Sequence, residues 1–482
     1  MLRNKSNKVF SETNNFFASS EKGIFRIMKL YRSLQLNRLS FGVKEFPQST
    51  FRKGDLLLMM LLFPIYSLSN VYRYTKHPLS QRIEASKNTF YRLKNDCRFN
   101  WRSLMYKINN KLFKHTFDLN TKDKSLHKCL IIDDTDFEKT TYKTEHLGKI
   151  WSHVKHRQFW GFKGLFLGYW DGKSFFSLDF SLHKEKGKNK KTPYGLTAKR
   201  KKAQYTKKRE KGSAGFIREK ELTKDKISTA LSMIRRVMKQ KLDVQYVLMD
   251  SWFFCESILK EILSLTHGIH IVGMIKMAKA KYTFNGNKYT AKELSQLLKQ
   301  RKKVKRVKQL NLFCAEIEVE YKSIPLKLYF CKNSRRGKYH LLGSTDTKLG
   351  ILEAYKIYSI RWSIEVFFKE SKQYFGLGKS KSQDFDAQIA DISLAMIGYN
   401  VFSFAKRYDA YESMGQLFEK VCDDAIELTI SLRMWKFILE LLQIIAEFID
   451  GDFNELIVRL MKNKPEENKI FRLIEMKLVN AA

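Results

Sequence analysis

Four polar residues, Tyr358, Arg361, Glu365 and Lys372, stand at offsets of 3, 7 and 14 from the first. On a helix these offsets fall along one stripe. Ile357, Ile360, Ile364, Phe367, Ser371 and Phe375 form a second stripe beside it, the face that would dock on a core. A helix over residues 351–375 is therefore expected, buried along one side. On its other side a carboxylate is flanked by an Arg, a Lys and a phenol, a set suited to gripping a phosphate held by metal.

The rest of the chain favours a polyanionic partner. Ninety Lys and Arg against 49 Asp and Glu give a net charge of +41. Each phosphate that such a surface neutralises releases counterions, so nucleic acid is the expected ligand. Basic proteins also bind anionic membranes, but with an amphipathic or lipidated anchor, and no such segment is evident. Met1-Leu-Arg-Asn-Lys starts basic without a following apolar region, and the run from Leu56 to Ile65 contains Pro64 and is too short to span a bilayer. Neither secretion nor membrane insertion is expected. Six cysteines without C-x-x-C spacing point to reduced thiols in the cytoplasm and against a zinc module. No G-x-x-x-x-G-K loop is present, so no nucleotide cofactor is expected.

With 482 residues, 44% of them hydrophobic, the chain can build a large core and two to four domains. Residues 1–125 read as a helical, basic, DNA-binding domain. Within it Ser86-Lys-Asn-Thr89-Phe-Tyr91-Arg92 fits the second helix of a helix-turn-helix reader, with Ser86 as N-cap and Lys87, Asn88 and Arg92 facing DNA. An ordinary basic surface helix would look the same. From Cys129 the texture changes. Cys129–Ile132 is a short apolar run that ends in Asp133-Asp134-Thr135, and Tyr246–Met249 is another that ends in Asp250. Between them lie two strands, Gln158 to Trp170 and Phe175 to Leu182, joined by Asp171-Gly172, then a helix marked by Ile227, Leu231, Ile234 and Met238. A helix with Phe254, Ile258 and Ile262 and a strand from Ile269 to Ile275 follow. Three strands, helix, strand, helix, strand is the order of a ribonuclease H-like core.

That core is expected over 126–280 and 348–405, with a strand-rich insertion at 281–347 and a helical C-terminal region at 406–482. The fold class is thus α/β, an interrupted ribonuclease H-like core between helical ends. Residues 184–220, with fifteen Lys or Arg against three Glu and several Gly, read as a long loop that orders only with a partner.

Phosphodiester cleavage with two metal ions needs a few carboxylates that converge on Mg²⁺ or Mn²⁺. Asp133 and Asp250 end neighbouring strands, and Glu365 on a docked helix completes the set. Asp134, and more distantly Asp136, compete with Asp133 for the first place. Each acid alone reads equally well as a loop residue or helix cap, and Arg361 with Glu365 as a surface ion pair. His146, His153, His156 and His183 crowd one region without Cys or Glu at fitting spacing, so phosphate contact or packing is expected of them rather than zinc.

The spacing Tyr358-x2-Arg361-x3-Glu365-x6-Lys372 resembles, without a gap, the signature of DDE transposases of the insertion-sequence type four family. Asp133-x-Thr135 after an apolar strand is similar to that family's first acidic motif, which selects Asp133 over Asp134; Leu248-Met-Asp250-Ser-Trp-Phe is similar to its second. The resemblance covers residues 125–405 and, more loosely, Ser86 to Trp101. It implies a bacterial, nucleoid-associated cut-and-paste transposase that binds terminal inverted repeats in double-stranded DNA as a homodimer. The enzyme would cut with a metal-activated water and transfer the freed 3′-hydroxyl to target DNA. Asp133, Asp250 and Glu365 would be ligands of two Mg²⁺ or Mn²⁺ ions, Arg361 and Tyr358 would grip the phosphate at the cut, and Lys372 the backbone nearby. Some members hold a flipped base against a Trp in the insertion. Here no Trp lies between Trp252 and Trp362, which leaves Tyr282, Phe284 or Phe313 for that stacking. The alternatives are an endonuclease on the same core without strand transfer, and a DNA-binding protein whose acids are structural.

Overall fold

A computed structural model of the chain describes residues 23–39, 50–120, 126–265, 268–407, 413–448 and 451–452. The described part of the first 125 residues is helical, as α1 (Gly23–Ser33), α2 (Lys53–Leu62), α3 (Val71–Thr75), α4 (Lys87–Asn95) and α5 (Trp101–Asn120). Ser86 does precede α4 in extended conformation, and Lys87, Asn88 and Arg92 are exposed while Phe90 and Leu93 are buried.

The described strands join one mixed sheet. Its N-terminal half holds β1 (Cys129–Glu138), β2 (Gly148–Ser152), β3 (Arg157–Trp170), β4 (Phe175–His183), β5 (Tyr246–Met249) and β6 (His270–Ile275). Strand β3 runs antiparallel to both β1 and β4, whereas β1, β5 and β6 are parallel neighbours. Cys129 to Ile132 are wholly buried because this strand is covered on both faces, which is why its sequence is continuously apolar rather than alternating. The faces still alternate along it: Cys129 and Ile131 join one core cluster, Leu130 and Ile132 the other.

On the first face lie α5 and the later helices α11 (Ile351–Ser359), α12 (Trp362–Tyr374) and α13 (Phe385–Ala405). Chain order before them runs α6 (Ala198–Lys202), α7 (Ala214–Glu221), α8 (Lys226–Met238), α9 (Glu256–Leu265) and α10 (Ala291–Gln300). Helices α8, α9 and α10 cover the second face. Three layers result. Helix α13 is buried nearly all round, and its Asn400 is satisfied inside by Asn109 and Ser177.

Four expectations change. The first strand does not end at Asp133 but continues against β3 to Glu138; only its parallel pairing with β5 stops at Ile132. The helix over 351–375 is split at Ile360–Arg361, where three-residue hydrogen bonds tighten one turn; the apolar stripe keeps its register, with Ile357, Ile364, Phe367 and Ser371 fully buried. Within 281–347, β10 (Leu312–Tyr321), β11 (Ile324–Lys332) and β12 (His340–Ser344) continue the central sheet, since β12 pairs with β6; β7 (Lys281–Phe284), β8 (Asn287–Thr290) and β9 (Lys305–Val307) extend it further.

The fourth concerns the basic stretch 184–220, which is not a loose loop. It carries α6 and most of α7 and is pinned by ion pairs. The side chain of Arg209 is fully buried, with Nη1 and Nη2 on Glu145 at 2.8 and 2.6 Å and Nε on Asp386 at 3.1 Å. Lys207 reaches Asp384 and Asp386. On β4 the buried Asp179 accepts from Arg102, Arg236 and Tyr106, and burial is outweighed by these arginines, which hold its carboxyl far below the usual range. After α13, α14 (Met414–Phe448) is a single long helix, while the expectation for 453–482 lies outside the described residues. Among the described residues no helix is long and apolar enough to cross a membrane.

Removing Arg209 would leave the buried Glu145 without its guanidinium and Asp386 with Lys207 alone. Arg209→Ala is expected to lower stability by about 3–5 kcal/mol, measured by urea unfolding; a loss under about 1 kcal/mol would mean the segment is not docked.

Candidate active site

The parallel pair β1 and β5 ends in register, Ile132 opposite Met249. The next residues are Asp133 and Asp250, so two carboxylates leave adjacent strands at one level. Asp133 follows the parity of Cys129 and Ile131, which turns it toward the face covered by α11 and α12. Asp134 takes the opposite face and pairs with Lys226 at the start of α8. The sequence left these two acids open; the structure brings Asp133 to the helix with the other signature residues.

Helix α12 is held there by aromatic packing. Phe166, the register partner of Asp133 on β3, packs on Phe367 and Phe368 with ring centroids 5.8 and 5.3 Å apart. This docking aims Arg361 at the strand. Its Nη1 donates to Asp133 Oδ2 at 2.7 Å and its Nη2 to Glu365 Oε1 at 2.5 Å. One guanidinium therefore joins the first and third acids. The Tyr358 ring lies 5.6 Å from that guanidinium carbon. Lys372 donates to Thr135 Oγ1 at 2.6 Å, two residues beyond Asp133 on the same face. Asp250 accepts through Oδ1 from the backbone N–H groups of Trp252 and Phe253, at 2.9 and 3.2 Å.

Electrostatics follow from this burial. Desolvation pushes the Asp133 carboxyl up to about 7, against the pull of Arg361, and the nearby Asp250 adds to the rise. Burial raises the Tyr358 phenol and lowers the Lys372 ammonium. Among the described residues no three His, Cys, Asp or Glu side chains already form a metal-sized cluster, because Arg361 bridges Asp133 and Glu365. The donors themselves are hard oxygens, the type that Mg²⁺ and Mn²⁺ take. A half-buried carboxyl that desolvation pushes up, beside a second one, is a site that gains from a cation.

Other sequence candidates fall elsewhere. His183 is buried and His146 half-buried, and desolvation pushes both down to about 4; His153 and His156 are exposed in a turn. Phe159, Phe162, Phe166 and Tyr169 are core, as expected of the hairpin. Tyr282 is buried against Tyr321 and offers no open stacking face. Two tryptophans at the rim of the site had no signal of their own in the sequence: Trp252, 45% exposed with Lys226 Nζ 5.2 Å from its ring centroid, and Trp362, 61% exposed. Their places beside Asp250 and Arg361 were the only clue.

A family model described as DDE superfamily endonuclease matches residues 43–303, more than half of the chain. The match contains Asp133 and Asp250 and ends before Glu365. No curated protein matches. Among solved structures, a piggyBac transposase synaptic complex with hairpin DNA aligns with a TM-score of 0.44 and 10% identity, over 87% of this chain and 80% of that one. That likeness is too distant for function to follow from it.

An acid whose folded pKa lies above its unfolded value holds its proton more tightly in the folded protein. For Asp133 the resulting stability is full below the ordinary carboxylate range and is lost as pH rises through about 7. Asp133→Asn, which cannot ionise, should match the parent at about pH 4 without divalent cation and exceed it at about pH 8 by on the order of 2 kcal/mol. Unfolding curves at both pH values test this, and a gap that does not widen with pH would refute it.

Proposed function

The chain belongs to the DDE superfamily of endonucleases, and from that premise we propose that it is a DNA transposase that cuts at the ends of a mobile element and joins them to target DNA. One observation carries the reading. Asp133 and Asp250 emerge side by side from parallel strands, and Arg361 ties Asp133 to Glu365 across the sheet–helix boundary. These three acids would hold the divalent ions. When bound, such ions supply Lewis acidity to the attacking and leaving oxygens of a phosphodiester. The strand order β4-β3-β1-β5-β6 supports a ribonuclease H-like core for this chemistry.

The protein's own groups have distinct tasks in this reading. Arg361 neutralises the acids in the free protein and would turn to the scissile phosphate once they are engaged, where its planar fork matches two phosphate oxygens. Tyr358, stacked beside it, limits the arcs it can sweep and offers a phenol O–H to the same phosphate. Lys372, tethered by Thr135, would bind the neighbouring phosphate as a point charge. The exposed faces of Trp252 and Trp362 suit stacking on bases unpaired near the cut. The basic face of α4, through Lys87, Asn88 and Arg92, would meet the element's ends. A pair of active sites, one for each end, calls for a homodimer on DNA. The signature spacing supports a place in the insertion-sequence type four family.

The test is cleavage and joining of a labelled duplex that carries the element's own ends, in Mg²⁺. The parent should cut and then join. Glu365→Gln should lower cutting by on the order of a thousandfold while still binding DNA. Cutting without joining would assign a nuclease instead, and binding without cutting a DNA-binding protein. Separately, Lys87→Ala with Arg92→Ala should weaken end binding and reduce the slope of log affinity against log salt by about 2. End binding equal to the parent's would remove α4 from the interface.

A further inference from the structure

Strand β1 meets helix α12 through a row of residues on one face. Asp133, Thr135 and Phe137 belong to it, and Lys139 follows at the strand's end, where its N–H still donates to the Trp160 carbonyl on β3 at 2.7 Å. Asp133 accepts from Arg361, Thr135 from Lys372, and the Phe137 ring centroid lies 5.8 Å from Lys372 Nζ. Lys139 reaches the chain just beyond α12. Its Nζ donates to the carbonyls of Gly378 and Ser380 at 3.0 and 2.8 Å. Gly376 and Gly378 turn the chain there with φ of +71° and +77°, and a Cβ at Gly378 would run into the Phe137 ring.

An ammonium in this place is costly to bury. Desolvation lowers it to about 8, and the carboxylate that favours its charge, Asp391, is itself paired with Lys94 of α4 at 2.6 Å. An apolar side chain of similar length would pack here without that cost, so packing alone gives no reason for a lysine. The neighbouring contacts do. Of the polar contacts between β1 and α12, those of Arg361 and Lys372 involve groups with other tasks. A cation on the bonded oxygens of Asp133 and Glu365 has to displace Arg361, and Lys372 turns to phosphate when DNA binds. Lys139 has neither task.

We propose that Lys139 is a positioning residue, the contact that keeps α12 in register on β1, and Glu365 level with Asp133, once Arg361 has been displaced. The turn before α12 is tightened at Ile360–Arg361, where a helix can hinge, and this leaves the axial position of α12 to its contacts with the sheet. From Glu365 to Phe375 the helix is a stiff rod of about 15 Å. A slip at its exit is passed on to Glu365, and metal ligands work only when placed to within about 0.5 Å. The inference deepens the transposase reading and rests on it for the tasks of Arg361 and Lys372.

Mn²⁺ affinity, measured by calorimetry on the full chain without DNA, is the first test. Lys139→Met should weaken it about tenfold. The same variant should cut end DNA more slowly by on the order of a hundredfold, with an unchanged KM for DNA. Its melting temperature without cation should stay within about 3 °C of the parent's, because Arg361 still holds α12 in that state. Lys139→Arg, which can again donate to both carbonyls, should recover most of both losses. Lys379→Ala, at an exposed neighbour in the same loop, should match the parent. A parent-like Mn²⁺ affinity in Lys139→Met would overturn the proposal. So would a larger fall in melting temperature with cutting that returns on cooling, since Lys139 would then serve stability alone. A parent that binds Mn²⁺ but never cuts would remove the transposase reading while the affinities still judge Lys139; a parent that binds no Mn²⁺ would overturn both.

Discussion

The parallel pairing of β1 with β5 is the constraint on which the site depends. A strand covered on both faces tolerates no unpaired charge, so its residues are apolar as far as Ile132 and Met249. Polar groups can appear only where that cover ends, and the register makes it end at the same level on both strands. Two carboxylates are thereby set side by side by the same rule that makes the core. Antiparallel pairing of β1 with β3 then carries Asp133 on a continuing strand rather than a free loop, which limits its motion. The cost is electrostatic, since Asp133 is desolvated and faces a second acid. In the free protein Arg361 offsets that cost. It occupies one oxygen of Asp133 and one of Glu365, so a cation bound by those oxygens would have to displace its guanidinium.

Charge is managed differently elsewhere. A chain of +41 folds against its own repulsion, and its buried arginines are held in small ion-pair networks. Asp179 gathers Arg102 and Arg236 and has Arg218 close by; Glu145 and Asp386 enclose Arg209. These networks sit between the basic segment 184–220 and the core, which explains why a stretch so rich in Lys and Arg is docked. The surplus of positive charge is left to the surface, where it can meet phosphate.

Much of this was readable from residue order, and the reasons for the exceptions are physical. Apolar runs followed by acids marked β1 and β5, because two-faced burial has a simple sequence signature. The stripe from Ile357 to Phe375 marked the docked face of α11 and α12, although not the tightened turn at Ile360–Arg361, which no Gly or Pro announces. Segment 184–220 was misread since its local composition is that of a solvated loop; the partners that hold it, Glu145, Asp384 and Asp386, lie as much as 179 residues away. The resemblance pointed to Asp133 over Asp134, but the face each acid takes needed the sheet: parity is read only once Leu130 and Ile132 are known to face α8 and α9. Tyr282 was offered as a stacking face and is buried, because alternation alone does not say which side of an added strand is covered.

Helix α12 joins these separate solutions. Its buried stripe meets Phe166 behind Asp133, the turn before it carries Arg361, its first turn carries Glu365, and its last turn receives α14. A shift of this one helix along the sheet would move Arg361 and Glu365 together relative to Asp133, and would carry the root of α14 with them. Packed aromatic contacts do not deform gradually, so the helix either holds its register on Phe166 or loses it. The geometry of the acids and the seating of α14 are for that reason set by the same helix, although no side chain belongs to both.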